Sequence, residues 1–294
     1  MSSRCLDLAQ RWARPVGCAA AALLAGIGVT AAAQQPPSPA ASAAAGAAAL
    51  RVCADPDNLP FSRVDGSGFE NRIAQLAADE LKRPLATVWL PQRRGFVRKT
   101  LAANECDVLI GVPADFDRVL PTTPYYRSSY VFVTRTDEAA PLRSFGDARL
   151  ARLRVGVQLV GNDLAATPPG HALVQRGATQ HVVGFTVFGD GPAAERMVRA
   201  LSDRQLDAAL VWGPQAGYFA RRTGTALQVQ IATPPPGLPV PFEFAIAMGV
   251  RSGDVALRDA LNGFIERRRA DIDAILAQYG VPRTDRSTAV EQAR

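Results

Sequence analysis

The sequence predicts an α/β protein of two similar lobes with a cleft between them, and three observations support this fold class. Short apolar segments without polar alternation, such as 108–112, alternate with helical segments, which is typical of parallel strands covered by helices on both faces. The alternation starts again after 137–141. One apolar strand and one helix follow the prolines at 234–236 and are too few to form a unit. They are expected to return to the first lobe, so that two crossover strands join the lobes beside a cleft.

The first lobe is predicted to contain four strands and two helices. The segment 68–81 carries apolar residues such as Phe69, Ile73 and Ala77 at helical spacing, and Pro84 follows its end. The strands are predicted where short apolar runs are bounded by turn residues. The predicted elements are strands at 50–54, 85–90, 108–112 and 130–134 and helices at 68–81 and 94–103.

The second lobe repeats this order, and the last strand and helix complete the first lobe. Ser252 begins a long final helix that Gly280 caps, with Pro282 beyond it. The expected domains are therefore 49–134 with 237–284, and 135–236. The predicted elements after the first lobe are strands at 153–157, 182–187, 206–212, 227–231 and 242–250 and helices at 171–176, 192–201 and 215–222.

The N-terminus has the pattern of a secretory signal peptide. Three arginines precede an apolar run at 16–29, and Ala31–Ala33 offers a cleavage site, so we expect residues 1–33 to be removed. The run is too short to span a bilayer comfortably. The small and proline-bearing segment 34–48 is predicted to be a flexible leader, and 285–294 a flexible tail.

Cysteine and histidine content limits the chemistry of the mature chain. Cys53 and Cys106 remain after cleavage, and an even pair in an oxidising compartment suggests a disulfide. Two cysteines cannot complete a tetrahedral metal site, and His171 and His181 lack ligand spacing. Cys18 lies in the apolar run without a lipobox, so no lipid anchor is expected.

Charge and motif content argue against nucleic-acid binding and against catalysis. The net charge of +6 is a modest excess that does not indicate nucleic acid. No Gly-x-Ser-x-Gly, P-loop or His-Glu-x-x-His motif occurs, and no motif ties a histidine to Cys53 as a base. We therefore expect a binding protein rather than an enzyme.

One pattern resembles the polar-amino-acid branch of the type II periplasmic solute-binding proteins of ABC importers. An aspartate and a glycine frame a strand at Asp107 and Gly111, then Arg118 and the pair Pro124-Tyr125 follow. The resemblance gives Arg118 the role of gripping a ligand carboxylate. Its spacing to Pro-Tyr is shorter than in that branch.

Longer segments resemble one subgroup, the quinoprotein-dehydrogenase-associated substrate-binding proteins, which includes the methanol-oxidation accessory proteins MoxJ and XoxJ. The similarity covers roughly residues 50–280. The segments that carry it are RVCADPDNLPFS (51–62), GFENRIAQLAADEL (68–81), WLPQRRGFVRKTL (89–101), CDVLIGVPADFDRVLPTTPYYRSSYVFV (106–133) and LDAALVWGPQAGYFA (206–220).

This resemblance implies a two-lobed type II periplasmic binding protein fold and a periplasmic partner. The partner is an alcohol dehydrogenase that uses pyrroloquinoline quinone (PQQ) with calcium or a lanthanide, and both cofactors would belong to that enzyme. The cleft would accept a small ligand or a segment of the dehydrogenase, with lobe closure as the working motion. The alternative is a receptor that delivers a small polar or anionic solute to an ABC permease.

In such a fold, the first lobe contributes the loop after the first strand and the end of the second strand. Asp55, Asn58 and Phe61 are placed at the cleft mouth, unless they only form a proline-rich turn. Trp89 ends the second strand. Arg93 and Arg94 follow it and suit either an anion or solvent.

The second lobe contributes residues after two further strands. Gln158 and Asn162 either face the cleft or form an ordinary turn. The resemblance places Trp212 or Gly213 where amino-acid binders carry an aspartate for the ligand ammonium, which argues against an α-amino-acid ligand. Trp212 would instead fill the cleft or meet a partner. Tyr125 is expected near the crossover strands, packed there or exposed to a partner.

The sequence alone does not decide whether Cys53 and Cys106 form a disulfide. In the resembled fold the first and third strands are neighbours, and aligned carboxyl ends would place Cys53 opposite Leu109 rather than Cys106. The offset of three residues is about 10 Å at strand rise, whereas a disulfide needs Cα atoms within about 7 Å. Pairing therefore requires a register slip or a bulge.

Overall fold

The computed structural model describes residues 48–137, 140–160, 167–187 and 191–285. The predicted signal peptide, the leader before Ala48 and the tail after Asp285 lie outside these residues. Within them, no helix has the length and hydropathy needed to cross a bilayer.

The α/β class is confirmed, with helices packed on a mixed sheet. The helices are α1 (Phe69–Glu80), α2 (Phe96–Lys99), α3 (Pro168–Gln175), α4 (Ala193–Ser202), α5 (Gly213–Ala220), α6 (Val255–Arg267) and α7 (Arg269–Gln278). The strands are β1 (Leu50–Ala54), β2 (Asp57–Asn58), β3 (Ser62–Arg63), β4 (Leu85–Trp89), β5 (Val108–Pro113), β6 (Leu120–Pro121), β7 (Tyr126–Arg135), β8 (Val155–Leu159), β9 (Val182–Thr186), β10 (Ala208–Trp212), β11 (Leu227–Ile231) and β12 (Glu243–Val250).

The sheet consists of two parallel groups joined by two antiparallel strands. The order is β4-β1-β5-β12-β7-β10-β8-β9, with β6 on β12 and β11 on β7. The groups β4-β1-β5 and β10-β8-β9 are each parallel. β12 pairs antiparallel with β5 and β7, and β7 pairs antiparallel with β10. The two long strands β12 and β7 therefore connect the two parallel groups, β12 beside β5 and β7 beside β10.

Helix α1 shows why the first lobe forms as predicted. Its apolar side chains are buried at Phe69, Ile73, Ala74, Ala77 and Ala78, the spacing that places them on one face. That face packs against the buried strands β1 and β5 in one apolar core.

The predicted long final helix is broken at Arg268. This residue leaves helical geometry, with φ −104° and ψ 21°, and separates α6 from α7. Its guanidinium pairs with Glu80 at 3.3 Å and with Asp271 at 2.5 Å. Arg267 also reaches Glu80, at 2.7 Å, so the break lies where two arginines turn toward α1.

Several element boundaries also differ from the prediction. Helix α2 has four residues instead of ten, because Gly95 precedes it in a left-handed conformation with φ +87° and Thr100 ends it with φ −118° and ψ −85°. Strand β7 starts four residues before the predicted 130, and the short strands β2, β3 and β6 were not predicted. Because two-residue strands contain no periodic pattern, hydrophobic spacing cannot reveal them.

Cys53 and Cys106 form a disulfide, with their Cα atoms 5.6 Å apart. Cys53 does lie opposite Leu109, as the alignment of strand ends suggested. The chain before β5 does not continue the strand, however, because the Asp107 amide donates to the Arg51 carbonyl at 2.7 Å. The Asp107 carboxylate also accepts from Arg51 at 2.6 Å. This bend brings Cys106 back toward β1.

Candidate functional site

A cavity of about 300 Å³ lies beside the crossover strands β7 and β12. Its lining comes from strands, the start of α1 and the loops after β1 and β4. Most of the lining side chains are aromatic or aliphatic, and the polar ones are few. The lining residues are Asn58, Phe61, Glu70, Gln92, Gly111, Val112, Pro113, Tyr126, Tyr130, Trp212, Phe244 and Ile246.

Asp55 organises one rim of the cavity through hydrogen bonds to backbone. Its carboxylate accepts from the Asp57 amide at 2.9 Å and from the Gln92 amide at 2.5 Å. The Asn58 amide then donates to the Gln92 side chain at 3.2 Å. Asp55 therefore holds the loops after β1 and β4 together, and Asn58 and Gln92 face the cavity.

The first turn of α1 also holds the loop after β1 in place. The amides of Phe69 and Glu70 donate to the carbonyls of Pro60 and Phe61, each at 2.8 Å. These bonds satisfy amides that the first turn of a helix cannot pair internally. The Phe61 ring packs edge-on against Phe69 with centroids 5.4 Å apart. Phe61 is thereby set in the cavity wall.

Three further aromatic residues line the same cavity and are called the aromatic wall here: Tyr130, Trp212 and Phe244. Trp212, at the end of β10, contacts Tyr130 of β7 and Phe244 of β12 edge-on, with ring centroids 5.4 and 5.6 Å away. The pairing of Trp212 with Tyr130 across the β10–β7 ladder places these two rings side by side. Burial raises the pKa of the Tyr130 phenol to about 12, so its hydroxyl stays protonated at neutral pH.

Glu70 is the one carboxyl among the described residues that line the cavity. No described residue forms a hydrogen bond or an ion pair with its carboxyl group. It lies beside Gly111 of β5, where a β-carbon would overlap its Oε1 atom. Burial raises the pKa of Glu70 from 4.5 to about 8, because ionisation in an apolar setting lacks compensation.

We expect Glu70→Gln to remove a pH dependence of stability. Below pH 4.5 the carboxyl is protonated in both the folded and the unfolded chain. Between pH 4.5 and 8 only the unfolded chain ionises, so the free energy of unfolding falls as the pH rises. From pH 5 to pH 7 this loss should be about 2 kcal/mol, the full linkage value being reduced because the cavity is open on one side. Urea unfolding at both pH values measures it.

The comparison protein for this test is Glu266→Gln, the same substitution at an exposed position of α6. It should keep the pH dependence of the parent chain. An equal slope in the parent and in Glu70→Gln would show that Glu70 is ionised in the folded state at neutral pH.

Of the predicted site residues, Asn58, Phe61 and Trp212 line the cavity. Asp55 supports the rim from behind. Tyr125 is fully buried, and its hydroxyl donates to the Ile110 carbonyl at 3.0 Å, so its neighbour Tyr126 faces the cavity instead.

The remaining predicted residues do not line the cavity. Trp89 lies on the edge strand β4, where it pairs with Ala54 of β1. Arg93 and Arg94 are exposed in the turn before α2, and Arg118 is exposed between β5 and β6. The expected grip of an arginine on a ligand carboxylate is therefore not formed in this cavity.

In the second lobe, Gln158 lies within β8 opposite Phe185, and its carbonyl accepts from Thr167 Oγ1 at 3.1 Å. Asn162 lies outside the described residues. No group of three or more His, Cys, Asp or Glu side chains that could hold a metal ion occurs in the described part of the chain.

Glu70 could have been found from the sequence. It precedes Ile73, Ala74 and Ala77 at spacings of three, four and seven, and so falls on the buried face of α1. An acidic residue on an otherwise apolar helix face is an unusual pattern, and it could have marked Glu70 as a candidate site residue. Gln92, Gly111, Tyr126, Phe244 and Ile246 carry no comparable signal.

Residues 50–282 match the family of bacterial extracellular solute-binding proteins, family 3. The chain belongs to this family. Its fold is that of the type II periplasmic binding proteins, as predicted from the resemblance.

Three proteins that the chain resembles have similar names, MoxJ, XoxJ and MxaJ. The chain is 35% identical to Protein MoxJ of Methylorubrum extorquens over 254 residues, which is 79% of this chain and 81% of the relative. The crystal structure of the periplasmic binding protein XoxJ from Methylobacterium extorquens AM1 matches with TM-score 0.68 and 36% identity, over 81% of this chain and all of that one. MxaJ from Methlophaga aminisulfidivorans MPT matches with TM-score 0.71 and 25% identity, over 80% and 99%.

Proposed function

We propose that this family member is a periplasmic accessory protein of a PQQ-dependent methanol or alcohol dehydrogenase, which it binds and helps to mature or activate. The observation that carries the proposal is the 35% identity to MoxJ across most of both chains. The similarity to XoxJ over that whole chain supports it. Export through the signal peptide at 1–33 would place it beside the enzyme, which would hold the quinone and the calcium or lanthanide ion.

The cavity supports a role other than amino-acid delivery. No Arg, Lys or His among the described residues lines it, so a ligand carboxylate would find no cationic partner there. By the resemblance to amino-acid binders, Trp212 or Gly213 stands at the position where those proteins carry an aspartate. The pair of opposite charges that an α-amino acid requires is thus not provided by the lining.

We propose no reaction for this chain. Besides Glu70, the titratable groups that line the cavity are the phenols of Tyr126 and Tyr130, and burial raises the pKa of both. Acid–base catalysis needs a group that can take up a proton as well as one that can give it near the working pH. The two phenols stay protonated at neutral pH, so Glu70 is the one titratable group of the described lining with a pKa near the working pH and has no second such group to complete an acid–base pair.

The test is direct binding of the mature chain to a purified PQQ-dependent alcohol dehydrogenase without its cofactors. We expect co-elution in size-exclusion chromatography and a calorimetric dissociation constant in the micromolar range or below, as is usual for a standard interface. A family 3 protein that binds amino acids serves as the control and should elute separately. Stronger binding to the apo than to the loaded enzyme would support maturation, and parallel trials with calcium-type and lanthanide-type enzymes would identify the partner.

The second candidate is a solute receptor for an ABC permease, which the presence of a ligand-sized cavity favours. An anionic solute fits this cavity poorly, because its lining offers no positive charge. A thermal-shift screen separates the candidates. A large increase in melting temperature with one solute, together with no contact with the dehydrogenase, would contradict the accessory role.

A further inference from the structure

We infer that the cavity beside β7 and β12 binds a small alkylated ammonium cation that carries no carboxylate, with Glu70 as its counter-ion and the aromatic wall as its enclosure. This inference goes beyond the proposed function and does not rest on it.

The aromatic lining supplies the first half of such a site. Phe61, Tyr130, Trp212 and Phe244 all line the cavity. The faces of aromatic rings attract cations, most strongly at tryptophan, and several rings around one space recognise alkylated ammonium groups. The same rings remove the apolar methyl surface of such a cation from water.

Glu70 supplies the second half. A carboxyl group without any hydrogen-bond partner among the described residues is costly in an apolar cavity, and a bound cation would provide the missing partner. Gly111 leaves the space that lets this carboxyl reach the cavity, because a β-carbon there would overlap it.

The surroundings of Glu70 contain no competing charge. Burial alone raises its pKa to about 8, and the groups that interact with it electrostatically are the phenols of Tyr126, the first residue of β7, and of Tyr125 just before it. Gly111 on β5 and Ile246 on β12 are uncharged. No arginine or lysine of the described lining neutralises the carboxylate, so a cation from solution is the ion that the cavity favours.

The lining also limits the ligand class. An amino acid or a betaine would bring a carboxylate into a cavity that contains a carboxyl and no cationic side chain. The volume of about 300 Å³ is at the small end for ligand pockets, which favours a compact cation over a peptide segment.

Three matched probes test the inference by isothermal titration calorimetry on the purified mature chain. Choline carries the trimethylammonium group, 3,3-dimethyl-1-butanol has the same shape without charge, and glycine betaine adds a carboxylate. We expect choline to bind at least about tenfold more tightly than either of the others, because choline combines the cation that pairs with Glu70 and lies against the rings with the absence of a carboxylate that Glu70 would repel.

The dependence on pH provides a second readout. A cation binds the ionised carboxylate, so the choline dissociation constant should rise roughly tenfold for each pH unit below 8 and level off above it. Glu70→Gln should weaken choline binding at pH 8.5 by at least about tenfold and abolish the pH dependence. Glu266→Gln should bind as the parent does.

Two outcomes would overturn the inference. One is equal affinity, or no heat, for all three probes with the folded parent at pH 8.5. The other is unchanged choline binding in Glu70→Gln. Because the dehydrogenase is absent from the experiment, either outcome leaves the proposed accessory role intact, and failure to bind the dehydrogenase would leave this inference intact.

Discussion

Replacing Cys53 and Cys106 together by alanine is expected to lower the free energy of unfolding by about 4 kcal/mol. The disulfide closes a loop with a sequence separation of 53, and opening a loop of that length returns conformational entropy to the unfolded chain. The two cysteines also pack with Phe96, Leu101 and Leu109 in a small apolar core of their own, which the shorter side chains would loosen. Urea unfolding of the parent and the double variant measures the difference.

Reduction provides the matching control. Dithiothreitol should lower the urea midpoint of the parent toward that of the double variant and leave the double variant unchanged. Alkylation without reduction should label no thiol in the mature parent chain. A loss below about 1 kcal/mol in the double variant would show that the bridge contributes little to the fold.

Replacing Gly68 by alanine is expected to cost about 3 kcal/mol, near the upper end for an overpacked site. Gly68 precedes α1 in an extended conformation that alanine can adopt, with φ −80° and ψ 153°. The added β-carbon would nevertheless overlap the Phe61 carbonyl and lie 2.6 Å from the Ser62 Cα atom. These are backbone atoms, so the loop itself must move, and Phe61 should leave the cavity wall.

Gly224→Ala is the control for this clash. A β-carbon at Gly224 meets no atom within 4 Å, so its effect should stay within about 0.5 kcal/mol. Choline binding by Gly68→Ala, measured where the variant is folded, should weaken because the loop side of the cavity is displaced. Equal stabilities of the two alanine variants would contradict the close packing of the loop on α1.

The fold was predictable where hydrophobic spacing is long and uninterrupted. Helix α1 and the strands β1, β4 and β5 lie where their apolar patterns placed them. The break at Arg268 was not predictable, because the apolar stripe continues through it and Arg267 and Arg268 pair with Glu80 of α1, which is distant in sequence. Local patterns contain no information on such partners.

The cavity was predictable only in part, for a related reason. The loop after β1 and Trp212 stand at strand ends, where open α/β sheets bind ligands. Glu70 lies instead in the first turn of α1 and Gly111 in the middle of β5. The register of Glu70 marks it as unusual, but its approach to Gly111 is visible only in space. The sequence left the disulfide unsettled because strand spacing was extended backwards beyond the start of β5, where Asp107 turns the chain toward Arg51.

The pairing of β7 with β12 means that the first lobe can be completed only after the two ends of the second lobe have come together. Arg127 and Glu243, paired at 3.0 Å across this ladder, are 116 positions apart, and the whole second lobe lies between them. Closing so long an unstructured loop is slow, whereas a folded second lobe brings its two ends to neighbouring positions. The second lobe is therefore expected to fold first, and β12, close to the C-terminus, to complete the first lobe last.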